Sequence, residues 1–185
     1  LSRSGLYNKR QSRVSGLPGF SGEFPTVSMA EEILTEGEGQ IRAMFTGGAN
    51  PVLTASNGTR LEKAFGSLEF MVSLDPYINE TTRFANVILP PTTSLEHDHF
   101  DITFNSAAVR NIARSNKPLF EKPAGSKHDW EIYTELGHRM AKRLGVDARP
   151  DMSPEQMLDF ILQSGPYSAK AGHPLELTLE KIKAE

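Results

Sequence analysis

Two short segments of the sequence decide the fold: Ile41-Arg-Ala-Met-Phe-Thr-Gly-Gly-Ala-Asn-Pro51 and Phe70-Met-Val-Ser-Leu-Asp-Pro-Tyr77. Each begins as a short apolar run and then breaks, the first into Gly-Gly-x-Asn-Pro and the second into Asp-Pro. This pattern is typical of a buried strand that ends in an open loop. The segments therefore predict strands over 41–46 and 70–74, with a loop at the carboxyl end of each strand.

Helices and a third strand are predicted around these two runs. Residues 26–36 predict a short helix, and residues 59–66 predict another that begins with Thr59-Arg-Leu-Glu62, the form of a capping box. A helical turn over 79–85 leads to a strand over 86–89. Because strands alternate with helices and the strands are continuous apolar runs, the sequence predicts an α/β fold. We expect an open, mostly parallel, Rossmann-like sheet with helices on both faces.

Further helices are predicted near the carboxyl terminus. One covers 130–144, is capped by Ser126 or Asp129, and has apolar residues at helical spacing that indicate a core-facing side. The other opens with Ser153-Pro-Glu-Gln156, which combines a capping box with proline at the first helical position, and ends near Gln163. The lone Trp130 and the aromatic residues of the first of these helices are interpreted as core.

The segments outside the predicted strands and helices are less regular. Residues 94–123 are polar, with one strand predicted near Ile102–Phe104, and long loops of this kind are usually functional. The sequence predicts an extended arm over 1–25, one α/β domain over 26–165, and a turn-rich tail over 166–185 with a short helix near its end.

The composition limits the classes of function. The chain of 185 residues has the size of one ordinary domain, and its formal net charge of -3 predicts no general attraction to nucleic acid. It contains no cysteine, which excludes disulfides and iron–sulfur ligation by this chain. No apolar run approaches the roughly 20 residues that span a bilayer, so we expect no membrane insertion. The compartment stays open, with cytoplasm slightly favoured over periplasm.

Asn50 and Asp75 are the first candidate ligand residues. They follow the two predicted strands, and in open α/β sheets ligands bind at the carboxyl ends of the strands. The Asp75 carboxylate can accept two hydrogen bonds side by side, from a ribose diol or from the N1–H and amino group of guanine. Gly47 and Gly48 let a ligand approach the backbone closely. The alternative is structural, because Asn and Asp also cap loops and helices.

A second candidate site is the run His97-Asp98-His99, which lies between Glu96 and Asp101. Two histidines separated by one residue on an extended chain point to the same side, and with a carboxylate they suit zinc or iron. A metal-dependent enzyme that uses His97 and His99 is therefore one hypothesis. The alternative is a polar loop of which one residue contacts a ligand.

Four motifs together carry a resemblance to a known family: Thr46-Gly-Gly-Ala-Asn-Pro51, Val72-Ser-Leu-Asp-Pro-Tyr-Ile-Asn-Glu-Thr-Thr-Arg-Phe-Ala-Asn-Val-Ile-Leu-Pro90, Leu95-Glu96 and Lys127-His-Asp-Trp130. Their order and spacing resemble the molybdopterin oxidoreductase family, which includes formate dehydrogenases, nitrate reductases and dimethyl sulfoxide reductase. The similarity covers about residues 20–145. It implies one of the two nucleotide-binding α/β domains of a catalytic subunit that holds molybdenum or tungsten between two pterin guanine dinucleotides.

The resemblance also implies roles for the residues at the strand ends. Asn50, with Gly47 and Gly48 before it, would lie against the phosphate and ribose of molybdopterin guanine dinucleotide. Asp75, with Leu74 beside it, would receive the guanine edge. The redox chemistry would belong to the cofactor and the protein would hold it in place.

Two further residues are implied by the same resemblance. In relatives the residue after the loop glutamate often contacts the cofactor, and here that residue is His97. Asp129, in the Lys-His-Asp-Trp segment, would be another polar contact. Many relatives continue the glutamate with Gly and an Asn-rich stretch, whereas this chain has Glu96-His-Asp-His-Phe-Asp101.

The resemblance leads us to expect part of a larger enzyme. The family's iron–sulfur cysteines and its metal-ligating residue are absent from this sequence, which also lacks an initiator methionine. The expected partners are the remaining domains of the catalytic subunit and electron-transfer subunits, and we expect the isolated chain to be inactive and to retain no cofactor. The alternative hypothesis is a free-standing nucleotide-binding module that holds no metal.

Overall fold

The computed structural model describes residues 7–101, 108–110, 112–148 and 150–184. The chain divides into two compact units, Leu1–Pro90 and Pro91–Glu185. The strand predicted near Ile102–Phe104 lies outside the described residues. The division into an arm, one domain and a tail stays a prediction.

The first unit begins with a hairpin that the sequence pattern did not indicate. Strands β1 (Tyr7–Gln11) and β2 (Pro18–Phe20) pair in antiparallel fashion. Helix α1 (Met29–Leu34) anchors the turn between these strands through Glu32. The Glu32 carboxylate accepts a hydrogen bond from the Val14 backbone N–H at 2.9 Å and forms an ion pair with Arg13 at 3.3 Å.

A parallel three-stranded sheet forms the centre of the first unit. Its strands are β3 (Ala43–Gly47), β4 (Phe70–Leu74) and β5 (Val87–Leu89), in the order β3-β4-β5. Both strand pairs are parallel, as expected when each connection crosses over through helical segments. The predicted α/β class, with a parallel Rossmann-like sheet and C-terminal helices, is confirmed.

The core of the first unit lies on one face of this sheet. Helices α2 (Pro51–Thr54) and α3 (Gly58–Gly66) join α1 on the face to which Met71 of β4 points. Residues on the opposite face are partly exposed, among them Phe45 and Phe70. The buried members of the core cluster are Ala30, Ile33, Val52, Leu61, Ala64, Phe65 and Met71.

The start of α3 differs from the prediction. The structure places the N-cap at Asn57, whose side chain accepts a hydrogen bond from the Arg60 backbone N–H at 3.2 Å. The predicted capping box at Thr59 is therefore wrong. Asn57 has φ of 60°, in the left-handed region that Asn tolerates better than other residues with a side chain. With Asn57 as the cap, the helix begins at Gly58, one residue before Thr59.

Among its described residues, the second unit contains three α-helices, a 3₁₀ helix (Ala169–Ala171) and a short ladder. Strands β6 (His99–Phe100) and β7 (Ser115–Asn116) pair in antiparallel fashion within the predicted polar loop. Helices α4 (Asp129–Leu144), α5 (Pro154–Ser164) and α6 (Leu179–Ala184) follow. In the described part of the chain, no helix is long and apolar enough to cross a membrane.

The caps of α4 and α5 give one correction and one confirmation. The N-cap of α4 is His128, whose backbone N–H donates to the Glu131 carboxylate at 2.7 Å, so the predicted caps Ser126 and Asp129 are wrong. The capping box of α5 is confirmed, with Ser153 and Gln156 each bonding the other's backbone N–H.

The second unit buries few apolar side chains. Tyr133, Met140 and Leu144 of the predicted core-facing side of α4 are exposed. The interpretation of the aromatic residues of this helix as core is therefore wrong for Tyr133. Among the described residues, the buried apolar side chains of this unit are Ala141, Leu158, Leu179 and Ile182.

Candidate nucleotide-binding site

The loops after β3 and β4 begin side by side. Gly47 lies opposite Leu74 at the end of the β3–β4 ladder, and the Gly48 N–H donates to the Leu74 carbonyl at 2.9 Å. Gly48 has φ of 57°, and a Cβ added there would meet no atom within 4 Å. The backbone at Gly48 therefore faces open space, and a side chain there would be strained. The Leu74 side chain is buried, so the backbone carbonyl is the group of Leu74 that lies at this end of the two strands.

Asn50 is held by the loop that follows β4. Its Oδ1 accepts a hydrogen bond from the Thr81 hydroxyl at 2.7 Å, and its Nδ2 donates to the Glu80 carboxylate at 2.8 Å. Both partners are about thirty residues away in sequence. Asn50 therefore links the two strand-end loops rather than capping its own loop with its side chain.

Asp75 organises the loop to which it belongs. It is 8% exposed. One carboxylate oxygen accepts from the Tyr77 N–H at 2.8 Å and the other accepts from the Asn79 side chain at 3.2 Å. A carboxylate has about four lone-pair positions. Each Asp75 oxygen therefore keeps a lone-pair position beyond its hydrogen bond within the chain.

Asn79 completes the loop after β4. Its Oδ1 accepts from the backbone N–H groups of Thr81 and Thr82, at 3.0 and 2.9 Å. The Thr82 hydroxyl accepts from the Asn79 N–H at 2.8 Å and donates to the Tyr77 carbonyl at 3.0 Å. The side chains of this loop thus satisfy the backbone groups that a tight turn would leave unpaired.

Glu80 is kept ionised by this arrangement. The hydrogen bond from the Asn50 side chain is the main cause that lowers the pKa of the Glu80 carboxyl, followed by a bond from its own backbone N–H. Desolvation works in the opposite direction, and the charge of Arg83 adds a smaller lowering. Glu80 therefore adds a negative charge to the strand-end edge at neutral pH.

A cavity of about 510 Å³ lies beside the loop that follows β3. It is within the first unit and borders the outer edge of β3. Asn50 and Asp75 do not line it. Its lining residues are Thr26, Met29, Met44, Phe45, Thr46, Gly47, Ala49, Pro51, Thr54, Ala55 and Ser56.

His97 belongs to the second unit, where it lines a different cavity of about 310 Å³. Its Nδ1 donates to the Asp98 carbonyl at 3.0 Å, and its ring contacts that of His128 edge-on at 6.0 Å between centroids. The His128 Nδ1 is bonded to the Thr92 hydroxyl at 2.6 Å. Lys117 and Lys183 line this cavity together with the carboxylates of Glu96, Asp98 and Glu155, so it combines basic, acidic and imidazole groups.

Two other predicted site residues of the second unit, Asp129 and His99, are exposed. Asp129 is exposed in the first turn of α4, where its carboxylate accepts from the next backbone N–H. His99 is exposed in β6. In the part of the chain that the structure describes, no three His, Cys, Asp or Glu residues form a group that could hold a metal ion.

The structure therefore brings together the strand-end residues of the first unit. It adds Asn79, Glu80, Thr81 and Thr82 to them, and these four residues lie in the motif Val72–Pro90, which predicts no separate role for them. The signal for these residues is their position, because an Asn-Glu-Thr-Thr run directly after a strand-end Asp supplies several side chains that bond to nearby backbone.

Comparison with known proteins gives a family match and several relatives. The family model described as "Molybdopterin oxidoreductase" matches residues 6–139. The assimilatory nitrate reductase catalytic subunit of Bacillus subtilis strain 168 is 32% identical over 116 residues, which are 63% of this chain. A candidate formate dehydrogenase of Staphylococcus aureus strain bovine RF122 is 31% identical over 147 residues, or 78% of the chain. A subunit alpha of an NADPH-Fe(3+) oxidoreductase of Geobacter sulfurreducens is 27% identical over 135 residues, or 73%.

The chain is short beside these relatives. It spans 16% of the nitrate reductase subunit, 14% of the Staphylococcus protein and 15% of the Geobacter subunit. The matches confirm the family resemblance that the four sequence motifs predict.

Proposed function

The chain belongs to the molybdopterin oxidoreductase family, and from that membership we propose that it holds the nucleotide end of a molybdopterin guanine dinucleotide in an oxidoreductase. The proposed site is the edge formed by the loops after β3 and β4. Gly47 and Gly48 offer open backbone to phosphate and ribose, and Asn50 offers an amide. Asp75 accepts the guanine edge, with the Leu74 backbone beside it.

One observation carries this proposal: a buried carboxylate and an oriented amide stand at neighbouring carboxyl ends of parallel strands, where α/β folds bind ligands. The hydrogen-bonding groups also match, because the Asp75 carboxylate has two acceptor oxygens and the guanine edge has two adjacent donors.

The cofactor, when bound, would supply the redox chemistry through its molybdenum or tungsten atom. The residues of this chain would bind and orient its nucleotide. His97 and Asp129 are proposed as additional polar contacts. The partners are proposed to be the other domains of a catalytic subunit and electron-transfer subunits.

The first experiment uses the natural polypeptide that contains this sequence, captured from its source. Its intact mass, its molybdenum and tungsten content, and the GMP released by acid hydrolysis are measured. A large polypeptide with about one metal atom and bound guanine nucleotide is the expected result. A polypeptide of this chain's size with nucleotide but no metal would favour a free-standing nucleotide-binding module instead.

The second experiment tests Asp75. Asp75→Asn keeps an acceptor for the Tyr77 N–H but removes the paired acceptor and the charge, so guanine nucleotide content should fall strongly. Glu69→Gln is the matched control, because Glu69 is an exposed carboxylate at the opposite end of β4. It should retain full nucleotide content. Equal nucleotide content in Asp75→Asn and the unaltered protein would refute the assignment of Asp75.

A further inference from the structure

The Asn50 amide has one orientation, and residues outside its own loop determine it. We propose that Thr81 and Glu80 are positioning residues for Asn50. They hold its amide in one orientation, so that Asn50 presents a fixed donor and a fixed acceptor to the ligand. The inference rests on the proposed function of Asn50. It goes further by assigning a role to two residues of the other loop and by naming the chemical group that Asn50 recognises.

Thr81 is a buried residue that links the two strand-end loops through hydrogen bonds. Its side chain is fully buried, at 0% exposed. A hydroxyl group has one proton to donate, and in Thr81 that proton goes to Asn50 Oδ1. The hydroxyl oxygen accepts from the Val52 N–H at 3.1 Å, one of the N–H groups at the start of α2 that have no partner within the helix.

These bonds decide which end of the Asn50 amide faces which neighbour. Oδ1 faces Thr81 and Nδ2 faces the Glu80 carboxylate. A flipped amide would place its carbonyl oxygen against the Glu80 carboxylate, where two acceptors repel each other. The hydrogen-bond network is therefore consistent with one orientation only.

The fixed orientation leaves a defined set of free positions on Asn50. The amide nitrogen has a second N–H, and Oδ1 has a second lone pair. A group that both accepts and donates satisfies both, and a sugar hydroxyl is such a group. A phosphate oxygen would use the N–H alone. The arrangement therefore favours a ribose hydroxyl as the partner of Asn50.

A double-mutant cycle tests whether Thr81 acts through Asn50. The test uses the complete polypeptide with its bound cofactor and follows the rate at which guanine nucleotide is lost on dilution, measured as retained GMP after acid hydrolysis. Thr81→Val removes the hydroxyl at nearly constant shape and should speed the loss about tenfold, the effect of one hydrogen bond. Thr81→Ser keeps the hydroxyl and should stay within about twofold of the unaltered protein.

The cycle is completed in the Asn50→Ala background. There Thr81→Val should add no more than about twofold, because the group on which Thr81 acts is gone. A tenfold effect in both backgrounds would mean that Thr81 supports the fold in general, and the inference would be wrong. No effect of Thr81→Val in the unaltered background would also overturn it. Thermal unfolding of each variant is recorded in parallel.

Glu80 provides an independent test should Thr81→Val fail to fold. Glu80→Ala releases the other end of the same amide and should speed nucleotide loss. If Glu80 acted only as a negative charge near phosphates, its removal would slow the loss, so the sign of the change decides. Glu80→Gln keeps an acceptor without the charge and should restore retention. Absence of guanine nucleotide from the unaltered protein would refute the proposed function itself, and this inference with it.

Discussion

The two units hold their candidate ligand residues in different ways. In the first unit, Asn50 is bonded to Thr81 and Glu80, about thirty positions along the chain. In the second unit, His97 bonds to the carbonyl of its neighbour Asp98, and the Asp129 carboxylate bonds to the next backbone N–H. Asn50 is thus fixed by tertiary structure, whereas His97 and Asp129 form these hydrogen bonds with the residue that follows each of them.

The same difference appears in the cores. The first unit buries a continuous cluster against its sheet, and Phe65 and Met71 belong to it. The second unit buries only small or aliphatic side chains among its described residues. A site supported by a packed core and by long-range bonds loses little entropy when a ligand binds, because its side chains are already ordered. This is the physical reason for proposing specific recognition by the first unit.

The largest expected effect is on core packing. Phe65→Ala should lower the free energy of unfolding by about 3–5 kcal/mol, because Phe65 is 2% exposed and its removal leaves a cavity. Phe160→Ala in α5 is the control, since Phe160 is 60% exposed and should cost at most about 0.5 kcal/mol. Urea titration of the chain measures both. Similar costs for the two variants would contradict the contrast between the cores.

The second prediction compares two buried threonines. Thr81→Val deprives Asn50 Oδ1 and the Val52 N–H of their partner and should destabilise by about 1–3 kcal/mol. Thr92→Val in the second unit removes one bond, to a half-buried histidine, and should cost about 1 kcal/mol or less. Chemical denaturation of both variants checks the order. A larger cost at Thr92 would show that the second unit is the better ordered one.

The third prediction concerns the start of α3. Asn57→Ala should destabilise by about 1–2 kcal/mol, because it removes the cap and places alanine at positive φ. Asn57→Gly keeps the backbone conformation and should cost only a few tenths of a kcal/mol. Thr59→Ala should change stability by less than about 0.5 kcal/mol, since Thr59 does not cap the helix. A larger loss at Thr59 would restore the capping box that its sequence suggests.

Local patterns were enough to predict most of the first unit. The strands over 70–74 and 86–89 and the parallel order follow from apolar runs bounded by turn residues, and the four motifs identify the family. The prediction of the α3 cap fails because Thr59–Glu62 matches a capping box, while the actual cap is Asn57, which adopts a left-handed conformation two residues earlier. The box at Ser153 and Gln156 has no such competitor, and there the prediction holds.

The support of the candidate site could not be read from the sequence. The positions of Asn50 and Asp75 after predicted strands indicate a site, but the hydrogen bond from Thr81 to Asn50 depends on how two loops meet in space. The exposure of Tyr133 was missed for a related reason. Helical spacing of apolar residues predicts a face that is suited to burial, and it contains no information on whether this chain provides the partner that covers the face.

The last prediction concerns two carboxyl groups whose pKa values are lowered for different reasons. In Glu80 the main cause is the hydrogen bond from the neutral Asn50 amide. In Glu135 of α4, hydrogen bonds from Lys127 and then Arg139 lower the pKa to about 2. Both values lie below the usual 4.5. Each group therefore stabilises the folded chain above pH 4.5, and this contribution is lost as the pH falls through the lowered pKa.

Substitution and salt should separate the two causes. Asn50→Ala should raise the Glu80 pKa towards its usual value and leave that of Glu135 unchanged, as followed by the NMR shifts of the carboxyl carbons. High salt screens exposed charges, so it should raise the Glu135 pKa more than the Glu80 pKa. Equal salt responses would mean that charge dominates at both sites. A Glu80 pKa that does not respond to Asn50→Ala would contradict the link between the two strand-end loops.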